Sequence, residues 1–362
     1  MENNLYSQKI DKLRTLLSPN DAALITDEIN VGYFSGFQHS EGVMLITSTK
    51  SYLLVDFRYI EAAQKFAVNC KVICFKKLID DLSGLIVENS IKNIYVESSK
   101  LSIARYQSYK QAFDKLGIEC DCSSSLDNKI AEIRIIKDAS EYQKIIKAQQ
   151  ITEQAYLEVL NYIKSGVSER KIALELEYLM KQKGAQDVSF DLITITGQKT
   201  SLPHGVPTDD IIKEGDFFTL DIGAVFDGYH SDTTRTVAVG YADEDMKKVY
   251  NIVLSAQLAA LSRVKEGTPC SEVDNAARDI IKNEGYAEFF GHATGHGVGL
   301  EIHESPTVSF RSDLALKEGM VITVEPGIYL PKRFGVRIED MVYVTKESYK
   351  NFVSLPKDLI IV

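Results

Sequence analysis

Asp221 and Asp232 are the residues whose types and spacing first suggest chemistry. They stand on either side of Asp227-Gly228, and that dipeptide between two β-rich runs is a strong signal for a two-residue hairpin turn. A turn closing there sets Phe226 opposite Tyr229, Asp221 opposite Thr234 and Gly223 opposite Asp232. Side chains alternate along a strand, so Asp221, Asp232 and Thr234 share one sheet face. The two aspartates then lie on the diagonal, roughly 7–8 Å apart at the backbone and closer at the carboxylates. Two carboxylates aimed at one spot repel unless they are protonated or hold a cation. A metal ion resolves that repulsion. Two solvated aspartates on an open sheet face are the alternative that this hairpin alone leaves standing.

The elements that must position such a site repeat along the chain. Gly166 and Gly184 bracket one predicted helix, and Gly267 and Gly285 bracket another 101 residues later. The segment Leu202-Pro203-His204-Gly205-Val206-Pro207-Thr208 resembles Glu301-Ile302-His303-Glu304-Ser305-Pro306-Thr307, and the stretch from Lys213 to Gly223 resembles that from Lys317 to Gly327. Three matches in one order at nearly one offset mark an internal repeat. Each half reads as helix, helix, histidine segment and carboxylate-bearing hairpin. The repeat sets Asp221 opposite Glu325, and His204 opposite His303, about a pseudo-twofold axis. A second hairpin, with its loop near Pro331-Lys332-Arg333-Phe334-Gly335, brings Glu325 and Glu339 face to face. Asp221, Asp232, Glu325, Glu339 and one histidine of the Gly295–His303 segment make an oxygen-rich set. It suits a pair of divalent ions, Mn2+ or Co2+ ahead of Zn2+.

His296, the Glu-Pro-Gly at Glu325 and the Asp–Asp hairpin at a spacing of eleven together resemble the pita-bread metallopeptidases. That group includes methionine aminopeptidases, Xaa-Pro aminopeptidases and Xaa-Pro dipeptidases (prolidases). The resemblance runs from about residue 135 to the end. Tyr33-Phe34-Ser35-Gly36-Phe37 and Leu54-Val55-Asp56-Phe57-Arg58-Tyr59 carry a weaker likeness to the creatinase-like amino-terminal domain of the proline-specific members. The resemblance implies that Asp221 binds one or both metals, that Asp232 and Glu339 bridge them, and that His296 and Glu325 are further ligands. It also implies that His204 and His303 hold the substrate and stabilise the tetrahedral intermediate, while Thr234 and Arg337 support the ligands from behind. A hydroxide shared by two ions about 3.5–4 Å apart would attack the scissile carbonyl. Glu325 would take the water proton and pass it to the leaving nitrogen, and His303 would donate to the oxyanion.

The extra amino-terminal domain, with histidines at both His204 and His303, selects the proline-specific branch. Within it, a dipeptidase must also hold the substrate's terminal carboxylate, for which arginine is the expected tool. The segment after His303 offers Arg311 as the nearest candidate, and Leu202 precedes Pro203-His204. Both features favour an Xaa-Pro aminopeptidase, a metal-dependent exopeptidase that cleaves peptides with proline in second position. Prolidase is the alternative, and a non-catalytic pita-bread binding module or a metal-free creatinase relative is the more remote one. The expected fold is an α/β creatinase-like domain over residues 1–127, then an α+β pita-bread domain with pseudo-twofold symmetry over 128–362. The boundary is placed at the small polar run Cys122–Asp127, and Ser140 is read as the N-cap of a long following helix. The resemblance implies that the amino-terminal domain serves in dimerisation, so a homodimer is expected.

Composition agrees with an enzyme of that kind. The 362 residues are 44% hydrophobic and 25% charged, as in a globular protein with sizeable cores. Fifty-one acidic against 41 basic residues give −10, which argues against a broad nucleic-acid footprint or binding to an anionic membrane. No apolar run approaches a membrane span, and Met1–Ser7 lacks the layout of a secretion signal. The cytoplasm is the expected compartment. Five cysteines cannot all pair, in keeping with a reducing compartment. Cys70, Cys74, Cys120 and Cys122 lack the usual zinc-clip spacing and are read as small core residues.

Overall fold

Short apolar runs become the strands of the first unit. The computed structural model describes residues 2–38 and 41–362; Met1, the first residue of the amino-terminal reading, lies outside them. Strands β1 (Asp21–Ile25), β2 (Val43–Thr47), β3 (Ser51–Val55), β4 (Lys71–Cys74), β5 (Asn93–Val96) and β6 (Glu119–Asp121) form one sheet in the order β4-β3-β2-β1-β5-β6. Every side chain of β2 and β3 is buried, which is why these runs read as continuous apolar stretches without alternation. Helices α1 (Glu2–Arg14), α2 (Glu28–Ser35), α3 (Ile60–Phe66), α4 (Leu78–Glu88), α5 (Ile103–Asp114) and α6 (Ser125–Arg134) complete the unit. Helix α2 has no counterpart in the sequence reading. Asn30–Ser35 are all buried, so it carries no polar stripe to reveal it. Local chemistry marks its ends instead: the Asp27 side chain accepts from the Asn30 amide, and Gly36 closes the helix at φ 72°.

Two details differ from expectation. Compact contacts divide the chain between Arg134 and Ile135, and the Cys122–Asp127 run leads into α6 of the first unit. Leu126, Ile130 and Ile133 of α6 are buried, and the Asp127 carboxylate accepts from Ser98 and Ser99. The four early cysteines belong to opposite margins of the sheet, Cys70 and Cys74 at β4 and Cys120 and Cys122 at β6. No shared metal can reach both. Cys74 and Cys122 are exposed, not core residues, because they stand on or beyond short edge strands.

The second unit opens with α7 (Ala139–Val159), whose N-cap is Asp138 rather than Ser140. The Asp138 carboxylate accepts from the Ser140 and Glu141 amides while Glu141 reaches back to the Asp138 amide, a reciprocal capping box. Helices α8 (Glu169–Gln182), α9 (Glu244–Leu261) and α10 (Cys270–Asn283) follow in pairs, as the repeat requires. The first half carries β7 (Asp187–Val188), β8 (Ile193–Thr196), β9 (Phe217–Ile222), β10 (Ala224–Phe226), β11 (Tyr229–His230) and β12 (Thr233–Ala238). The second carries β13 (Gly295–Gly297), β14 (Glu304–Val308), β15 (Val321–Val324), β16 (Gly327–Leu330), β17 (Phe334–Arg337), β18 (Asp340–Val344) and β19 (Tyr349–Asn351). The repeat is visible in the backbone: Gly166 and Gly267, Gly184 and Gly285, and Gly215 and Gly319 all have positive φ, between 83° and 101°. These are helix-entry, helix-exit and pre-strand turns that a side chain would strain. No described helix is long and apolar enough to cross a membrane.

Candidate metal centre

Both expected hairpins form with the expected register. Asp227 and Gly228 both adopt positive φ (48° and 78°), the turn pairs Phe226 with Tyr229, and further up Asp221 pairs with Thr234. Between these pairs Gly223 meets its neighbour so closely that a Cβ would stand 2.0 Å from the Ser231 carbonyl oxygen. In the second half Val324 pairs with Asp340 and Gly327 with Arg337, a register that sets Glu325 across from Glu339. His296 lies on β13, and the Thr323 hydroxyl accepts from its amide at 3.1 Å.

These elements deliver Asp221, Asp232, His296, Glu325 and Glu339 to the wall of one cavity of about 890 Å3. Ligand atoms of Asp232, His296 and Glu339 lie within 4.8 Å of one another. His296 Nε2 is 3.4 Å from both Asp232 Oδ2 and Glu325 Oε1. Its Nδ1 is 3.1 Å from the Gly297 carbonyl oxygen, so Nδ1 carries the hydrogen in the neutral ring and the Nε2 lone pair faces the carboxylates. Asp221 stands beside this triad because its Oδ2 is bound to Arg337 Nη2 at 2.6 Å.

The cluster fits a cation. Glu339 is 1% exposed; Oε2 accepts from the Thr234 hydroxyl at 2.7 Å, whereas Oε1 is buried with no hydrogen-bond partner. A buried carboxylate oxygen left so costs free energy that a bound ion would offset. Burial, reinforced by the charge of Asp221, pushes Asp232 up to about 6, and burial with the charge of Asp232 pushes Glu325 to about 7. Glu339 rises well above its ordinary range for the same two reasons, burial and neighbouring carboxylates. Burial works against a charged His296, but its bond to Asp232 and the charge of Glu325 outweigh that and raise it to about 9. The site strains to hold positive charge among its anions.

Residues 143–346 match metallopeptidase family M24, and residues 9–136 match the Creatinase/Prolidase N-terminal domain. The chain belongs to metallopeptidase family M24. It is 38% identical to an Xaa-Pro dipeptidase of Pyrococcus horikoshii, over 99% of this chain and all of that one. Among solved structures, an Xaa-Pro dipeptidase from Bacillus anthracis superposes with a TM-score of 0.95 at 41% identity, covering 99% of this chain and 100% of the other. An X-Pro aminopeptidase from Thermotoga maritima gives 0.90 at 36% identity, over 97% and 100%. The expected architecture, a creatinase-type domain followed by a pita-bread domain, is therefore borne out.

In this M24 chain His204, His303 and Arg337 line the same cavity, and Thr234 stands behind it, bonded to Glu339 and Arg337. His204 and His303 are both exposed side chains on its wall. The His303 ring stands edge-on to His296 with centroids 4.4 Å apart, and partial burial followed by the charge of His296 lowers its pKa. Arg337, 4% exposed, donates to Thr234 Oγ1 (3.1 Å), Tyr329 Oη (2.9 Å), the Pro203 carbonyl (3.3 Å) and Asp221. Arg311 does not line the cavity; its guanidinium lies 5.0 Å from the Phe310 ring centroid.

Three residues at the M24 site escaped the sequence reading. His292, four residues before His296, also lines the cavity. Its Nδ1 is 2.8 Å from the Ala293 carbonyl and so donates, which leaves Nε2 to accept from the Tyr329 hydroxyl at 2.9 Å. Burial drives His292 down to about 4 and lifts Tyr329 to about 12, so both are neutral at pH 7. Arg235, 1% exposed, donates to the carbonyls of Thr234, Glu339, Leu355 and Pro356 and to Asp340 Oδ1. It ties the strand bearing Thr234 to the strand beginning after Glu339. The only sequence signal for it was an arginine inside a β-rich run.

Proposed function

We propose that this chain is a dinuclear metal-dependent Xaa-Pro aminopeptidase, and that Asp221, Asp232, His296, Glu325 and Glu339 hold the two ions. Four carboxylates and one imidazole favour Mn2+, with Co2+ or Zn2+ as substitutes. When bound, the ions supply charge that polarises a carbonyl oxygen and acidifies water toward neutral pH. The chain's own groups do the rest. Glu325 takes a proton and hands it to the leaving proline nitrogen. His303 is kept neutral by its lowered pKa and donates one N–H to the carbonyl oxygen as charge develops there. His204, on the wall of the same cavity, holds the peptide. Thr234 and Arg337 fix Glu339 and Asp221 in orientation. A free substrate α-amine can approach the cluster, which favours cleavage at amino termini.

The cavity wall carries the choice of an aminopeptidase. Among the described residues that line it, Arg337 is the one lysine or arginine, and that guanidinium is buried and committed to Asp221. A dipeptide's terminal carboxylate has no free guanidinium to meet it. Prolidase is the second reading, favoured by the names of the Pyrococcus horikoshii and Bacillus anthracis relatives. Hydrolysis of Ala-Pro-Ala and Ala-Pro by metal-stripped protein, with and without Mn2+, separates the two. Cleavage of the tripeptide alone, and only with metal, is the expected result. Cleavage confined to Ala-Pro moves the assignment to prolidase, and cleavage of neither by metal-loaded protein leaves a binding module.

The amino-terminal domain supports assembly as a homodimer. Light scattering coupled to size exclusion is expected to report about twice the 40.5 kDa chain mass; a 40.5 kDa species alone would rule the dimer out.

A further inference from the structure

Glu169 is a fully buried carboxylate that stands outside the cavity wall, at the first position of α8. Its Oε1 accepts from the Thr196 amide at 2.8 Å. Its Oε2 accepts from the Thr208 amide (2.9 Å), the Thr208 hydroxyl (3.1 Å) and the Lys199 ammonium (2.6 Å). Lys199 also donates to Thr208 Oγ1 at 2.6 Å and pairs with Asp210 at 2.7 Å. The first amides of α8 join the same junction, Glu169 N bonding the Asp210 carbonyl and Arg170 N that of Thr208. Thr196 and Thr208 are the two feet of the loop that carries His204. One carboxylate therefore closes that loop at its base.

His204 is itself exposed, so little packing around the ring can fix where it stands. Its placement has to come through the backbone. Two other anchors hold the loop, the 2.8 Å bond from the Gly335 amide to the Thr200 hydroxyl and the 3.3 Å bond from Arg337 Nη1 to the carbonyl of Pro203. A buried ion pair is a weak source of net stability, but removing one partner leaves an uncompensated charge whose relief must disturb the segments it joins. Here those segments are the feet of a catalytic loop.

We propose that Glu169, with Lys199 as its counter-ion, is a positioning residue for His204. The inference rests on the reading of His204 as a group that holds the peptide. The test uses full-length, Mn2+-loaded protein with Ala-Pro-Ala and Ala-Pro, and compares Glu169→Ala, Lys199→Met, Lys199→Arg, His204→Gln and the Glu169→Ala/His204→Gln double variant. A misplaced group costs up to about a hundredfold. Glu169→Ala and His204→Gln are each expected to lower kcat/KM by about tenfold to a hundredfold without loss of bound metal. The double variant should be no worse than the more damaging single one, since both remove one function. Lys199→Arg, which keeps the charge, should retain most activity where Lys199→Met does not. Losses that multiply in the double variant, or full activity of folded Glu169→Ala, would overturn the proposal. Should Glu169→Ala fail to fold, Lys199→Met combined with His204→Gln decides by the same non-multiplication. If His204→Gln alone leaves turnover intact, the reading of His204 fails, and the positioning role falls with it.

Discussion

Glu325→Gln is expected to lower kcat for Ala-Pro-Ala by about 10²–10⁴-fold, the range for removal of a positioned acid–base group. Glutamine preserves the shape of the side chain and can still offer a carbonyl oxygen to the Thr323 hydroxyl, which bonds Glu325 Oε1 at 3.2 Å. It cannot take up a proton. In the metal-free chain burial and the charge of Asp232 hold the carboxylate it replaces near 7. Because Glu325 also faces His296 Nε2 at 3.4 Å, the variant must be assayed for metal content by mass spectrometry alongside kcat. Lost turnover with both ions retained supports the proton-transfer role. Lost turnover with lost metal would reduce Glu325 to a ligand, and undiminished turnover would remove it from the mechanism.

Metal-stripped protein should become less stable as pH rises, the reverse of the usual behaviour of paired carboxylates. Asp232 and Glu325 have folded-state values of about 6 and 7, above their ordinary 3.8 and 4.5, and Glu339 is raised as well. His296 is raised to about 9 from 6.5. Every one of these groups binds its proton more tightly folded than unfolded. Their contribution is fully present below the unfolded values and is lost as pH passes through the folded ones. The melting temperature of chelator-treated protein is thus expected to fall between pH 5 and pH 8. Added Mn2+ competes with the same protons, so a fixed concentration should stabilise more at pH 8 than at pH 5; a hundredfold excess over Kd stabilises by about 2.7 kcal/mol in total. A stripped protein whose melting temperature climbs across that interval would contradict the assignment of the cluster.

Much of the site was legible because hairpin chemistry fixes register. Asp227-Gly228 demands a two-residue turn, and from that turn the pairing of Asp221 with Thr234 follows by counting. The second hairpin came from the internal repeat, and its register held as far as Asp340. The helix α2 was not legible, since burial of every residue from Asn30 to Ser35 leaves no periodic pattern to betray it. Nor were Arg235, Glu169 or His292, whose importance lies in partners over 20 residues away or in a hydroxyl 37 positions on. Spacing rules see neighbours on an element. They do not see which distant carbonyls a buried side chain will reach.

Arg337 has a consequence beyond orienting a ligand. One guanidinium grips Asp221 at the cluster and, through the Pro203 carbonyl, the loop bearing His204. An ion that drew Asp221 forward would pull on the same fork that holds the loop bearing His204. Metal and peptide binding would then share a free energy of coupling, and such coupling is reciprocal. If metal tightens the grip on peptide, a bound peptide must tighten the grip on metal by the same factor. A substrate would thereby help its enzyme keep its ions when they are scarce.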